Sequence, residues 1–261
     1  MPKFAANLSM MFQEIPNFLD RFEAAAQAGF SGVEFLFPYD YPPEVIAEQL
    51  EKNRLSLALF NTVPGDWSQG ERGLAALPGR EQAFRDGVDK AILYAKAAKC
   101  PLIHTMAGLW PDGRDKAEGE RVYIDNLRWA ADRAAPAGIT AIIEPINTRD
   151  IPGYFLNYSK DAVRIIEAVG RPNLCYQLDL YHLQIMEGDL APKMRALAGL
   201  YPHVQIAGTP GRHEPDVGEV NYPFLFDLFD ELGYTGWIGC EYRPQGDTLA
   251  GLGWAKKYGI G

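Results

Sequence analysis

The sequence predicts an α/β protein, a single (β/α)8 barrel with eight parallel strands and an outer ring of helices. Three observations support this fold. The 261 residues match the usual size of one such barrel. Short runs rich in β-branched residues alternate with amphipathic helical stretches from end to end. No linker or change of composition divides the chain, so we expect one domain spanning residues 1–261; a doubly wound open sheet is the alternative.

Eight apolar runs are the candidate strands. Most of them are continuously apolar, which is typical of parallel strands that are covered on both faces. The predicted strands are Phe4–Ser9, Gly32–Phe37, Ser56–Thr62, Leu102–Met106, Thr140–Pro145, Leu174–Asp179, Val204–Ala207 and Trp237–Tyr242.

Apolar residues at three- and four-residue spacings predict helices between these strands. Gly29 ends the first helix, and Ser159 is the expected N-cap of another that stops at Gly170. The clearest helical segments are Ile15–Ala26, Glu118–Ala137, Ser159–Val169 and Asn221–Leu232.

Composition and charge exclude several classes of partner. The formal net charge is −9 and the pI is about 5.0, so the overall field repels nucleic acids and anionic membranes. No apolar run approaches the roughly 18 residues of a membrane helix, and the first residues predict a strand in place of a signal peptide. Three widely spaced cysteines indicate buried thiols in a reducing, cytoplasmic compartment. Dinucleotide, Walker and GxSxG motifs are absent from the sequence.

Oxygen-bearing side chains recur at four of the predicted strands. They are Glu144, Asp179, Gln205 and Glu241, and their spacings of 35, 26 and 36 residues each fit one strand–helix unit. A single carboxylate at a strand end is more often a helix cap. Four oxygen-bearing side chains in register, three of them carboxylates, would bury three negative charges around one point. That arrangement needs a cation. Ligation by oxygen alone favours one divalent cation, Mg²⁺ or Mn²⁺.

Five further residues are candidates for contacting a substrate. His182 follows Asp179 by three residues, and Arg212 lies in a Gly/Pro-rich loop after Gln205. The long segment Val63–Arg80, which follows the third strand, contains Trp67 and Arg72. His104 lies within the fourth strand. A helix-start histidine, a solvated arginine and a core histidine are the alternative interpretations of His182, Arg212 and His104.

The motifs GDWSQGERGLAALPGR, IIEPIN, LDLYHLQ, VQIAG and GCEY, in this order, resemble the hydroxypyruvate isomerase family within the xylose-isomerase-like TIM barrels. The resemblance covers almost the whole chain. It implies that Glu144 and Glu241 transfer protons and that Glu144, Asp179, Gln205 and Glu241 hold the cation. It also implies a small anionic hydroxy-oxo acid as substrate, with hydroxypyruvate and tartronate semialdehyde interconverted through an enediolate.

The same resemblance leaves alternatives open. The branch also contains isomerases of 2-oxo-tetronate, which the quoted motifs do not separate from hydroxypyruvate isomerases. Ketose 3-epimerases of free sugars resemble this group but typically have histidine at the position of Gln205. A sugar-acid-binding barrel without turnover is the non-enzymatic alternative. A homo-oligomer is common among such barrels, but the sequence predicts no particular interface.

Overall fold

Eight parallel strands lie in chain order and close into a barrel, so the predicted fold is confirmed. The computed structural model describes residues 1–111 and 113–261. The strands are β1 (Lys3–Asn7), β2 (Gly32–Phe35), β3 (Ser56–Asn61), β4 (Leu102–His104), β5 (Thr140–Ile143), β6 (Leu174–Asp179), β7 (His203–Ile206) and β8 (Trp237–Cys240). Each overlaps its predicted counterpart, because a strand buried on both faces is marked in the sequence by a short continuous apolar run.

The helices follow the strands in the order expected for a (β/α)8 chain. Within the described residues the α-helices are α1 (Asp20–Gln27), α2 (Pro43–Lys52), α3 (Glu81–Ala97), α4 (Lys116–Ala134), α5 (Ser159–Val169), α6 (Leu180–Met186), α7 (Leu190–Ala196) and α8 (Tyr222–Glu231). Two short helices, α6 and α7, follow β6, and a 3-10 helix, Ala250–Tyr258, follows β8.

The helix starts differ from the predictions: α4 begins at Lys116, two residues before Glu118, and α8 at Tyr222, one residue after Asn221. The first helix begins at Asp20, because the segment before it, which contains Pro16, forms turns. Ser159 is the first residue of α5 and not its N-cap; Tyr158 occupies the cap position, without a side-chain cap bond. The predicted end of this helix at Gly170 is confirmed, since Gly170 adopts the left-handed conformation (φ 63°) that favours glycine.

The chain divides into two compact units. The first comprises Met1–Ala58 with Leu178–Gly261, and the second comprises Leu59–Gln177. In the first unit β1 pairs with both β2 and β8, and β8 pairs with β7. In the second unit β4 pairs with β3 and β5, and β5 pairs with β6.

The register of the first unit places a row of side chains on one face of the sheet. Asn7 is the partner of Glu34, and Gly239 is the partner of both Ala5 and Gln205. Because residues two apart on a strand share a face, Ala5 and Asn7 lie on the same side. At the level of Gln205 this face carries only small residues on the next two strands, Gly239 on β8 and Ala5 on β1, whereas Asn7 of β1 lies beside Glu34.

The long segment Val63–Arg80 is ordered and packs within the second unit. Ala75 and Ala76 donate backbone hydrogen bonds to the carbonyls of Met106 and Ala107. Gly73 has φ 112°, and a Cβ there would collide with Met106. This close approach requires glycine and holds the loop against the chain that follows β4.

The three cysteines differ in burial. Cys100 and Cys240 are buried, whereas Cys175 is partly exposed, which corrects the expectation that all three are buried. Cys175 is the second residue of β6 and the only residue of that strand that is not fully buried. None of the described helices combines the length and the apolar character that crossing a membrane requires.

Candidate active site

Asp179 ends β6 and begins α6, so its carboxylate serves the helix and the site together. Oδ1 accepts hydrogen bonds from the backbone N–H groups of Tyr181 (2.7 Å) and His182 (3.2 Å). This is N-capping, the alternative considered for a strand-end carboxylate. The other oxygen, Oδ2, lies 3.5 Å from His182 Nε2 and 3.9 Å from Arg212 Nη2. The cap fixes one oxygen and thereby directs the second towards the polar side chains.

Glu241 directly follows β8 and is buried beside other carboxylates. Burial raises its pKa to about 8; Arg212 opposes this rise, and the negative charges of Asp179 and Glu34 add to it. Arg212 Nη2 lies 2.5 Å from Glu241 Oε2, and the guanidinium also lies over the ring of Tyr181, 4.9 Å from its centroid. Arg212 adopts φ 57°, a conformation that few residues other than glycine adopt.

Glu144 directly follows β5 in the second unit and is buried. His104 on β4 is its neighbour, with Nδ1 3.9 Å from Glu144 Oε2. The same Nδ1 lies 3.1 Å from Asn61 Oδ1 at the end of β3. His104 is therefore held by Asn61 at the carboxyl ends of neighbouring strands, the end of a barrel where catalytic residues lie.

A buried cluster that could hold a metal ion contains Glu144, Asp179, His182 and Glu241. Each offers one ligand atom, and these atoms all lie within 4.8 Å of one another. Three of the four predicted cation ligands, Glu144, Asp179 and Glu241, belong to this cluster. His182, expected to contact substrate, is a fourth member.

Gln205, the remaining predicted ligand, is buried on β7. Its Nε2 donates a 2.8 Å hydrogen bond to Glu34 Oε1. Glu34 on β2 also accepts from Asn7 Nδ2 (2.9 Å) and from His203 Nε2 (2.7 Å). Glu34 and His203 are absent from the sequence-based candidates. The available signal was an acidic residue within the apolar run GVEFLF, since a lone buried carboxylate requires partners.

Trp67 and Arg72 lie in the loop after β3. The Arg72 guanidinium stacks on the Trp67 ring at 3.8 Å, and its Nη1 donates to the carbonyl oxygens of Trp67 (3.1 Å) and Glu71 (2.8 Å). Trp67 is 37 % exposed. The pair is preformed and accessible, and its contact with a substrate stays a prediction.

The donor set fits a hard divalent cation. Asp179 and Glu241 are buried carboxylates of the same unit, and proximity of negative charge helps to hold the pKa of Glu241 near 8. A divalent cation would remove that repulsion and bring the pKa of Glu241 down. Carboxylate and amide oxygens are the preferred ligands of Mg²⁺ and Mn²⁺, and the imidazole of His182 is also compatible with Mn²⁺.

Comparison with known families agrees with this geometry. Residues 22–258 match the family model described as "Xylose isomerase-like TIM barrel". The chain is 57 % identical over 259 residues to a 2-oxo-tetronate isomerase from Cupriavidus necator, with 99 % of each chain covered. It is 47 % identical over 258 residues to a hydroxypyruvate isomerase from Escherichia coli, covering 99 % of this chain and all of the other.

A solved structure is also similar over the whole length. It is that of a protein described as an AP endonuclease, family 2, from Brucella melitensis, which is 54 % identical with a TM-score of 0.97 and 99 % of each chain covered. The relatives from C. necator and E. coli are both named isomerases, as the motifs of this chain predicted.

Proposed function

The chain belongs to the hydroxypyruvate isomerase family within the xylose isomerase-like TIM barrels, and we propose that it is a metal-dependent aldose–ketose isomerase of small hydroxy-oxo acids. Its first candidate reaction interconverts hydroxypyruvate and tartronate semialdehyde. The observation that carries the proposal is the buried cluster containing Glu144 and Glu241. Two carboxylates that reach one small site can move a proton between adjacent carbons.

The reaction moves one proton from C3 of hydroxypyruvate to C2 and one hydroxyl proton from O3 to O2. Charge develops on these two oxygens as the enediolate forms. In the proposed mechanism one glutamate, Glu144 or Glu241, removes the proton from C3 and the other delivers a proton to C2. Each such group typically contributes ~10²–10⁴-fold to the rate. His182 donates a hydrogen bond to the oxygens between which the hydroxyl proton moves.

Glu144, Asp179, Gln205 and Glu241 are the proposed ligands of one Mg²⁺ or Mn²⁺. When bound, the cation supplies electrostatic stabilisation for the enediolate oxygens. Asp179 suits this role because its N-cap bonds hold the carboxylate in one orientation. Arg212 lies beside Glu241 and can pair with the substrate carboxylate, for which a planar guanidinium is well suited. His104, Trp67 and Arg72 are the further proposed substrate contacts.

Proton NMR in D2O tests the assignment of the glutamates. Glu144→Gln and Glu241→Gln should each lower turnover of hydroxypyruvate by at least ~10²-fold, because an amide cannot carry the proton. Glu214→Gln is the matched control, since Glu214 is also buried but bonds the backbone N–H of Gln245 instead. Full activity and solvent-deuterium incorporation in either glutamate variant, with an unchanged circular dichroism spectrum, would remove that residue from the mechanism.

2-Oxo-tetronate is the second candidate substrate, favoured by 57 % identity to the isomerase of that compound against 47 % for the hydroxypyruvate isomerase. Values of kcat/KM for both compounds, measured side by side, decide between them.

An abasic-site DNA duplex is a third substrate to assay, because one relative is described as an AP endonuclease. We expect no cleavage, since a net charge of −9 opposes DNA binding.

We infer a cytoplasmic location from the odd number and wide spacing of the three cysteines and from the proposed role in carbohydrate metabolism, including glyoxylate metabolism. The proposed partner is the small anionic substrate, with neither nucleic acid nor a membrane. Homo-oligomerisation is a proposal that gel filtration with light scattering can test.

A further inference from the structure

We propose that Glu34 is a positioning residue: it binds the amide nitrogen of Gln205 and so directs the amide oxygen of Gln205 away from Glu34 and towards the cation site. The inference rests on the proposed function, in which Gln205 is a ligand, and it adds a residue that does not touch the ion. All of the contacts that carry it lie within the unit formed by Met1–Ala58 and Leu178–Gly261.

The hydrogen bond between the two side chains decides the orientation of the amide. Gln205 Nε2 lies 2.8 Å from Glu34 Oε1, and an ionised carboxylate accepts hydrogen bonds but donates none. A rotated amide would set two oxygens against each other and leave a buried polar group without its hydrogen bond, which is unfavourable. The nitrogen is therefore held at Glu34, and Oε1 is the atom that Gln205 offers at the opposite end of its amide.

Glu34 is itself held in place by two other donors. Asn7 Nδ2 donates to Oε1 and His203 Nε2 donates to Oε2, so both carboxylate oxygens are bonded. His203 Nδ1 is buried, with no hydrogen-bond partner among the described residues. A proton on Nδ1 would thus be unsatisfied, which keeps the proton on Nε2, where it bonds Glu34. The carboxylate cannot turn away from Gln205 without losing these bonds.

The sheet provides a path for the Glu34 side chain from β2 to β7. The strands between them are β1 and β8; at the level of Gln205 they carry Ala5 and Gly239, and Asn7 of β1 is the register partner of Glu34. A Cβ on residue 239 would collide with the Glu34 carboxylate. The absence of a side chain at Gly239 lets Glu34 reach Gln205.

The position of Gln205 gives this orientation a consequence for the cation. β7 lies between β6, which ends at Asp179, and β8, which is followed by Glu241. An amide oxygen is a ligand for Mg²⁺ or Mn²⁺, whereas an amide NH2 group would repel the ion. Residues that orient a ligand typically change metal affinity by ~10–100-fold when they are replaced.

Two replacements of Glu34 separate orientation from charge. Glu34→Gln removes the charge but keeps the shape; because His203 needs an acceptor, the new NH2 faces Gln205 and turns its amide. Glu34→Asp keeps the charge but shortens the side chain, so that it no longer reaches Gln205. We expect both variants to bind Mn²⁺ ~10–100-fold more weakly than the wild type in titration calorimetry.

Gln205→Leu completes a double-mutant cycle. If Glu34 acts through Gln205, adding either Glu34 replacement to Gln205→Leu causes no further loss of Mn²⁺ affinity. Circular dichroism and the melting temperature of the metal-free proteins verify folding, and one folded Glu34 variant is enough to decide. Wild-type Mn²⁺ affinity in a folded Glu34 variant, or an equal loss with and without Gln205, overturns the inference.

The same experiment separates this inference from the proposed function. Wild-type protein that does not bind Mn²⁺, or binds it equally after Glu144→Gln and Glu241→Gln, refutes the metal site and the inference with it. Mn²⁺ binding that requires these glutamates but is unaffected by Glu34 refutes the inference alone.

Discussion

Gly239 illustrates how one missing side chain makes room for a buried polar network. Its backbone is not in the left-handed region, so alanine is compatible with its conformation, but a Cβ would collide with Glu34. We expect Gly239→Ala to lower the free energy of unfolding by about 1–3 kcal/mol through overpacking, measured by urea denaturation. Gly253→Ala is the matched control, since nothing lies within 4 Å of its Cβ, and should be neutral or slightly stabilising. Equal stability of both variants would contradict the role of Gly239 as a spacer.

Cysteine reactivity depends on the pKa of each thiol. Burial raises the pKa of Cys175, and burial together with the nearby Glu34 raises the pKa of Cys240 well above its ordinary value. Because the thiolate is the reactive form, the native protein at pH 8 should react with iodoacetamide far more slowly than the urea-unfolded protein does. Peptide mass spectrometry should find Cys175 modified first. Rapid labelling of Cys240 in the folded protein would contradict its burial.

The site residues that could be predicted from the sequence differ from Glu34, which could not, in where they lie on their strands. Glu144, Asp179 and Glu241 directly follow or end apolar runs, and strand ends can be read from the sequence. Glu34 lies inside a strand, and its role depends on which residues face it across β1 and β8. That information resides in the strand register and not in local sequence, so the network around Glu34 could not be predicted.

At the scale of elements, Asp179 lies at the junction of β6 and α6, where it caps the helix and also belongs to the candidate metal-binding cluster. The sequence D-L-Y-H places a cap residue and a histidine three positions apart, so that α6 begins directly above the strand end. The strand ends were predictable to within two residues, because polar residues such as Glu144 and Glu241 interrupt the apolar runs there. The exact start of α5 was not, because Ser159 and its neighbour Tyr158 both permit a helix start and packing decides between them.

The carboxylate of Glu71 connects the two ends of the loop Val63–Arg80. Glu71 accepts from Asp66 N–H (2.5 Å) and from the Arg80 guanidinium, and the bond to Arg80 holds the pKa of Glu71 below its ordinary value. A lowered folded-state pKa means that this stabilisation is complete above the ordinary value and is lost as the pH falls through the folded value. Hydrogen exchange of residues 63–80, corrected for its intrinsic pH dependence, should therefore accelerate as the pH falls below the ordinary glutamate pKa of about 4.

A substitution tests the same ion pair at neutral pH. Glu71→Gln should increase tryptic cleavage after Arg72 and Arg80, because the loop loses its charged anchor while the amide still occupies the site. Glu118→Gln is the control, since Glu118 forms an exposed pair with Arg114 at 3.7 Å that is expected to contribute little. Equal cleavage of the two variants would show that Glu71 does not organise the loop.

At the scale of the whole molecule, a net charge of −9 accompanies several buried acidic groups. Glu34, Asp179 and Glu241 belong to one unit, and their mutual repulsion is relieved by hydrogen bonds and by Arg212. Burying charges without complete compensation lowers the stability of a fold. The metal-free protein is therefore expected to be less stable than the cation-bound protein.

Thermal unfolding with and without a cation measures this difference. A ligand that binds only the folded state at 100 times its Kd adds about 2.7 kcal/mol, which for a chain of this size raises Tm by roughly 5–10 °C. We expect Mn²⁺ or Mg²⁺ to produce this rise after EDTA treatment and dialysis, and EDTA to reverse it. Asp179→Asn should lose most of the rise, because it removes one carboxylate of the cluster, whereas Glu118→Gln should keep it. A rise of equal size in the Asp179 variant would mean that the cation binds elsewhere, since binding at the cluster requires the charge of that residue.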